Sequence, residues 1–194
     1  MNQHQLNEAR TNPDFLNYLD QTQKDAMETK DIAALYEVLD SLLVLDLIDE
    51  NRINIVYEEI LKIAFDKVEE FIGQNKKLTL KDDALYYIRA FYEHAIEKWS
   101  MDNFKGAKEL FFILAQIIDD AKLIDALNIH IITCANQIDM DTFYETSVNV
   151  DALNTDETYG YFIINFNFET NTFLEQNHKI LATQYNELKH LLDT

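Results

Sequence analysis

Two Glu-x-x-His pairs are the residues of this chain whose types and spacing come closest to a metal site: Glu175 with His178, and Glu187 with His190. In di-iron bundles such pairs bind metal when two different helices each supply one. Here both pairs fall on one predicted helix, so they lie roughly 18 Å apart along its axis and about 120° around it. One subunit therefore cannot join them at a single metal. His178 lies on an apolar stripe, which favours a hydrogen-bonded core histidine, whereas His190 is expected on the surface.

Other catalytic groups are similarly unpromising. The three glycines are isolated, so neither a GxGxxG motif nor a P-loop can be built. Cys134 falls on an apolar face and is expected to be a small buried hydrophobe rather than a nucleophile. His94 and Glu97 are three residues apart on a predicted helix and favour a surface pair over an acid/base role. We expect no catalytic residues, no metal and no cofactor; a metal-dependent all-α enzyme remains an alternative.

The charge of the chain limits its partners. Sixteen Lys and Arg against 35 Asp and Glu give a net charge of −19, which argues against nucleic acid and anionic lipid because both require phosphate neutralisation. No Lys or Arg occurs from Leu123 to His178, a stretch that carries nine carboxylates. This stretch is either a solvated acidic surface or a field that attracts a basic partner. Without a run of about 18 apolar residues or a secretory signal, the sequence predicts no membrane span and a cytoplasmic location.

Apolar residues recur at helical spacing along most of the chain. Asn12-Pro13 is typical of a helix start, Thr79–Asp82 resembles a capping box, and Gly73 stands where a C-cap is expected. The first predicted helix follows Pro13. The others run from Ile32 to near Ile48, from Ile53 to Phe71, from the Thr79–Asp82 capping box to Trp99, from Phe104 to Ile118, from Ile124 to Ile138, and from Leu174 to Leu192.

The spacing changes in Tyr161–Phe168, where apolar and more polar residues alternate as in a strand. The sequence predicts a β-hairpin of roughly 146–150 with 161–168, although a helical 146–168 region stays open. An exposed edge of this strand could pair with a second copy. A self-assembling homodimer is therefore an alternative function.

Four aromatic residues, Tyr86, Tyr87, Phe91 and Tyr92, form a cluster wider than one buried helix face needs. They either cover a neighbouring helix or line an open groove for a peptide. We take them as the candidate partner-binding residues.

The helices around these aromatics resemble a tetratricopeptide-type helical hairpin. Phe91 and Ala95 stand at the first aromatic and small positions of that repeat, and Phe104, Ala107 and Phe111 occupy the aromatic, alanine and aromatic positions after the turn. Small residues at 95 and 107 would let two antiparallel helices approach closely.

The segment Ala95–Leu114 is also similar to the first repeat of the tetratricopeptide chaperones that serve type III secretion. Those proteins are small, acidic and cytoplasmic, and hold translocator segments in a concave groove. The chain departs from the repeat at Lys98, where an aromatic is usual, and lacks the closing proline.

These observations predict a mainly α protein of antiparallel helical hairpins, either tetratricopeptide-like or an irregular bundle, in a single domain over residues 1–194 with the small hairpin at 146–168 as an insertion. The expected function is a non-enzymatic protein-binding module, chaperone or adaptor. Its groove would hold an apolar or amphipathic segment of a partner protein, which could also be basic.

Overall fold

The computed structural model describes residues 8–45, 49–74, 76–152 and 157–192. The chain divides into two compact units, Met1–Asp66 and Lys67–Thr194, and the boundary falls within a long helix. The protein is mainly α-helical, and the described residues contain isolated β-bridges but no β-strand. The helices are α1 (Pro13–Thr29), α2 (Ile32–Val44), α3 (Glu50–Gln74), α4 (Asp82–Ser100), α5 (Phe104–Ile117), α6 (Ala121–Ala135), α7 (Met140–Ser147), α8 (Thr170–Gln176) and α9 (His178–Leu188), with 3-10 turns at Glu157–Tyr159 and Lys189–Leu192.

The first unit begins as its sequence predicts. The Asn12 side chain accepts hydrogen bonds from the backbone N–H groups of Asp14 and Phe15, and Pro13 opens α1. Lys30 ends this helix in the left-handed conformation, and the Asp31 side chain caps α2. These caps satisfy N–H groups that the first helical turn leaves without partners.

The core of the first unit follows the helical spacing of its apolar residues. Leu19 of α1 and Leu35 of α2 are fully buried, and Arg52 of α3 forms an ion pair of 2.8 Å with Asp20. Helix α2 ends at Val44, short of the predicted end near Ile48, a residue that lies outside the described part of the chain.

The second unit is built on α4, α5 and α6, which pack consecutively through short connections. Ala95 and Ala107 are completely buried, consistent with the expected close approach of α4 and α5. The Asn103 side chain caps α5 by accepting the N–H of Gly106 at 3.0 Å. A Cβ atom at Gly106 would lie 2.9 Å from Asn103 Nδ2, so the glycine leaves room for this cap. The tetratricopeptide-like arrangement and the single domain stay predictions.

Two predicted helix boundaries are wrong. The Thr79–Asp82 capping box does not form, because Lys81 is the N-cap of α4 and makes no side-chain capping hydrogen bond. Leu78 instead forms a parallel bridge with Ile118, which fixes the chain before the helix. Gly73 does not end α3, which continues to Gln74.

The predicted β-hairpin is also wrong. Residues 140–147 form α7, and the two segments meet at one isolated antiparallel bridge between Val148 and Phe166. Phe162 and Ile164 are nevertheless buried while Tyr161 is exposed. The alternation matches the burial of residues 161–164, whereas Phe166 and Phe168 are only half-buried. The segment packs on helices and keeps two backbone hydrogen bonds to residues 147–149, which is too few to form a strand.

The predicted C-terminal helix is interrupted. Asn177 separates α8 from α9, and its side-chain amide donates to the Phe173 carbonyl at 2.9 Å. The continuous stripe from Leu174 to Leu192 is therefore divided between two helices and a 3-10 turn. Among the described helices, none is both long and apolar enough to cross a membrane.

The two N-terminal capping sites give a direct test of these boundaries. We expect Asn103→Ala to lower the free energy of unfolding by about 1 kcal/mol, because the Gly106 N–H loses its partner. Thr79→Ala is the matched control and should change it by less than about 0.5 kcal/mol, since Thr79 is exposed and does not cap α4. Urea unfolding followed by circular dichroism measures both. An equal loss in the two variants would contradict the observed caps.

Candidate functional site

The four candidate aromatics of α4 occupy two different environments. Tyr86 and Tyr87 are half-buried, whereas Phe91 and Tyr92 are only 1% and 2% exposed. Phe91 and Tyr92 are therefore core side chains and do not form an open surface. Partner contact stays a prediction for Tyr86 and Tyr87.

The chain itself covers the aromatic face of α4. The Ile163 N–H donates to the Tyr92 hydroxyl at 2.9 Å, and the Phe162 ring meets the Tyr92 ring edge-on at 5.1 Å. One turn earlier, the Arg89 guanidinium lies 4.1 Å from the centre of the Tyr161 ring and forms an ion pair of 2.7 Å with Glu93. Residues 161–163 thus cover Tyr92, one of the four aromatics that the sequence analysis assigned to a partner.

His130 lies at the centre of the packing beneath this segment and is fully buried. Its Nε2 is 3.1 Å from the Tyr92 hydroxyl, while its Nδ1 is buried without a hydrogen bond among the described residues. Sequence reasoning missed this residue, although its position within Ile129–Ile132, flanked by isoleucines, was a usable signal. The rings around it are Phe111 at 5.1 Å, Trp99 and Phe143 at 5.6 Å, Tyr92 at 5.9 Å and Phe166 at 6.1 Å.

Burial fixes the protonation states of this centre. It lowers the pKa of His130 to about 3, although a polar contact with the Ile163 backbone partly offsets the effect, and it raises the pKa of the Tyr92 hydroxyl. Both groups are therefore neutral near neutral pH. The Tyr92 hydroxyl accepts from Ile163 and can still donate its own proton to His130 Nε2, so its role is to hold the segment in place.

A surface groove lies on the outer side of this segment, between residues 144–152 and 160–165, with a volume of about 260 Å³. Its walls are held together where the Asn149 N–H donates to the Asn165 carbonyl at 3.0 Å. Three of its lining residues expose large apolar side chains: Tyr144 is 46% exposed, Val150 63% and Tyr161 38%. We call these three residues the groove anchors.

The groove anchors stand out against the rest of the second unit. Among its described residues, the other large apolar side chains with high exposure are Met101 and Ile138. A second groove along α8 and α9 is lined by Leu174, Leu181 and Tyr185, but these side chains are only partly exposed. An exposed apolar cluster at a concave site is typical of an interaction surface.

Exposed carboxylates adjoin two of the groove anchors in sequence. Glu145 and Asp151 directly follow Tyr144 and Val150 in sequence, and both are exposed, as is Glu157. Two cations come near this region: Arg89 is buried and paired with Glu93, and Lys122 Nζ lies 4.7 Å from the centre of the Tyr159 ring.

The Glu-x-x-His pairs do not assemble into a metal site in the described residues, which contain no group of three or more potential metal ligands. His178 and His190 each hydrogen-bond through Nδ1 to the backbone carbonyl of the glutamate three residues earlier, at 2.8 and 2.7 Å. His178 is exposed, so the prediction of a core histidine there is wrong. His190 is exposed as expected.

Cys134 occupies the predicted environment, and His94 makes the predicted contact with Glu97 but is half-buried instead of lying on the surface. Cys134 is buried, and burial raises the pKa of its thiol, which disfavours the nucleophilic thiolate. His94 Nδ1 lies 2.7 Å from Glu97 Oε2 in the predicted i,i+3 pair. The absence of an enzymatic activity stays a prediction.

The Tyr92 hydroxyl can be tested by removing one oxygen atom. We expect Tyr92→Phe to lower the free energy of unfolding by about 1–3 kcal/mol, because it leaves the partly buried Ile163 N–H and the buried His130 Nε2 without this partner. Tyr144→Phe is the matched control and should have little effect on the free energy of unfolding, since the Tyr144 side chain is exposed to water in the folded chain. Chemical unfolding measures both variants. Equal stability of Tyr92→Phe and the parent chain would contradict the proposed link.

Buried, neutral His130 predicts a pH dependence of stability. Its pKa is about 3 in the folded chain and about 6.5 in the unfolded chain. The stabilisation from the neutral ring is thus complete above about pH 6.5 and is lost as the pH falls towards 3. Between about pH 7 and pH 4.5 the free energy of unfolding should fall by about 2–3 kcal/mol through this group.

Unfolding curves of His130→Phe measured at both pH values should lack this decrease, and His130→Gln serves if the phenylalanine variant does not fold. The exposed His178→Gln variant is the control and should keep the decrease. A parent-like pH profile in a folded His130 variant would assign the effect to other groups.

Comparisons of this chain with protein families, curated proteins and solved structures found no match. The resemblance to tetratricopeptide chaperones consequently stays a prediction from the sequence. The function must be argued from the residues and geometry of the chain itself.

Proposed function

We propose that this chain is a non-enzymatic protein-binding module, of the chaperone or adaptor kind, that holds an apolar or amphipathic segment of a partner protein. The observation that carries the proposal is the convergence of Tyr144, Val150 and Tyr161 on one groove, each with a large exposed apolar surface. Removing such surface from water on binding is favourable by about 25 cal/mol per Å². Aromatic anchors also dominate the energetics of many interfaces.

The binding surface proposed from the structure differs from the one expected from the sequence. Tyr92 supports the groove from below, because it holds Ile163 and Phe162 in place. The groove volume of about 260 Å³ is below the usual 300–1,000 Å³ of small-molecule sites. It suits one or two side chains of a peptide better than a substrate or cofactor.

Self-assembly through the 161–168 strand is less well supported. Phe162 and Ile164, which lie on the apolar face of that segment, are buried within their own unit. Their side chains are therefore not available as an apolar contact surface for a second copy.

The proposal predicts that partner recovery depends on the groove anchors. Tagged chain is expressed in its native host, and a copurifying protein is identified and quantified by mass spectrometry. We expect Tyr144→Ser and Val150→Ser each to reduce the recovery of that protein about tenfold, a loss of about 1.4 kcal/mol in binding free energy. Both positions are exposed, so the fold should be kept.

The first unit offers matched controls. Tyr18 is 50% exposed and Val44 is 59% exposed, close to the values for Tyr144 and Val150. Tyr18→Ser and Val44→Ser should leave the recovery unchanged. If the groove variants recover the same protein as the parent chain, the proposed binding surface is wrong.

A further inference from the structure

We infer that the segment held in the groove is an extended peptide in which lysine or arginine residues flank the apolar residue that contacts the groove anchors. The inference rests on the proposed function and adds the chemistry of the partner. It follows from the distribution of charge around the groove and from the shape of its walls.

The two segments that line the groove carry carboxylates that no cation of the same segments balances. No Lys or Arg occurs between Lys122 and Lys179, so neither of the two segments that line the groove contains a cation. Glu145 and Asp151 adjoin the groove anchors Tyr144 and Val150, and their side chains are exposed. A partner that placed its own carboxylates here would meet like charges, whereas a cationic partner would be attracted.

The nearby cations of the chain do not neutralise this field. Arg89 lies beneath Tyr161 and already pairs with Glu93 at 2.7 Å. Lys122 lies over the Tyr159 ring, and Tyr159 is not among the residues that line the groove. The segments that line the groove therefore combine exposed apolar side chains with carboxylates that pair with neither cation. An apolar residue with basic neighbours would complement both features.

The walls of the groove favour an extended occupant. Both walls are largely non-helical, formed by residues 148–152 and 160–165, and they are joined at the bridge between Val148 and Phe166. A narrow groove between two such segments admits a chain that projects alternate side chains. Tyr144 can in addition place its ring face against a cation, an interaction worth about 0.5–1 kcal/mol at an exposed site.

A second copy of this chain is a poor occupant for the same reason. Each copy carries a net charge of −19 and would bring its own Glu145 and Asp151 to a symmetric contact at this surface. Symmetric pairing would therefore place like charges opposite each other.

Isothermal titration calorimetry with three synthetic peptides tests the inference on the full chain. The peptides share one central Ile-Phe-Leu sequence and differ in having Lys, Ser or Glu at the same flanking positions. We expect the Lys-flanked peptide to bind at least about tenfold more tightly than the Ser-flanked one, and the Glu-flanked peptide to bind more weakly still. Raising the salt from about 50 to about 500 mM should reduce the preference.

Variants of the chain identify the residues that cause the preference for the Lys-flanked peptide. The double variant Glu145→Gln/Asp151→Asn should lose most of the preference for Lys, and Tyr144→Ser should weaken all three peptides. The matched control Glu28→Gln/Asp66→Asn removes two exposed carboxylates of the first unit and should keep the preference. Light scattering of the parent chain at high concentration should show no dimer that depends on Tyr144.

The outcomes separate the inference from the proposed function. Equal binding of the three peptides, with all binding lost in Tyr144→Ser, would overturn the charge inference and leave the groove intact. A Lys preference that survives Glu145→Gln/Asp151→Asn, or disappears equally in the control, would assign it to the overall charge and overturn the inference. If no peptide binds, the inference fails; if partner recovery is also independent of Tyr144 and Val150, the proposed function fails with it. A Tyr144-dependent dimer would show that a second copy occupies the groove and would overturn the inference.

Discussion

The hydroxyl of Tyr92 connects the helices of the second unit to its irregular segment. It accepts the Ile163 N–H at 2.9 Å and lies 3.1 Å from His130 Nε2. The Tyr92 and His130 side chains are removed from water, so their lost hydrogen bond would not be replaced by the solvent. The same contact seats Phe162 against α4. One wall of the groove, and the exposure of Tyr161 on it, depend on this arrangement.

The interior and the surface around this contact have opposite electrostatic character. Inside, burial keeps His130 neutral among aromatic rings, and no charged group is needed to satisfy Tyr92. Outside, Glu145 and Asp151 remain exposed beside the groove anchors. The buried polar pair therefore shapes the groove. Under the proposed function, the exposed carboxylates would supply a field for discrimination between partners.

Local rules were successful where the chain contacts mainly its own neighbours. Helical spacing predicted most helices, and Asn12 and Pro13 predicted the start of α1 because capping involves residues two or three apart. They failed where a distant element competes. Alternation in Tyr161–Phe168 predicted a strand, but α4 supplies the buried surface and hydrogen bond that a partner strand would have given. Likewise the apolar stripe predicted His178 in the core, whereas the break at Asn177 left it exposed.

The sequence by itself determined the helical class, the acidic stretch without Lys or Arg, and the lack of glycine-dependent phosphate motifs, since each of these depends on composition or short-range spacing. Only the tertiary structure decided that Phe91 and Tyr92 are core residues and that Tyr144, Val150 and Tyr161 share a groove. The physical reason is sequence separation. Tyr92 and Ile163 are brought together by packing and by one hydrogen bond, and no local sequence pattern in either segment predicts contact with the other.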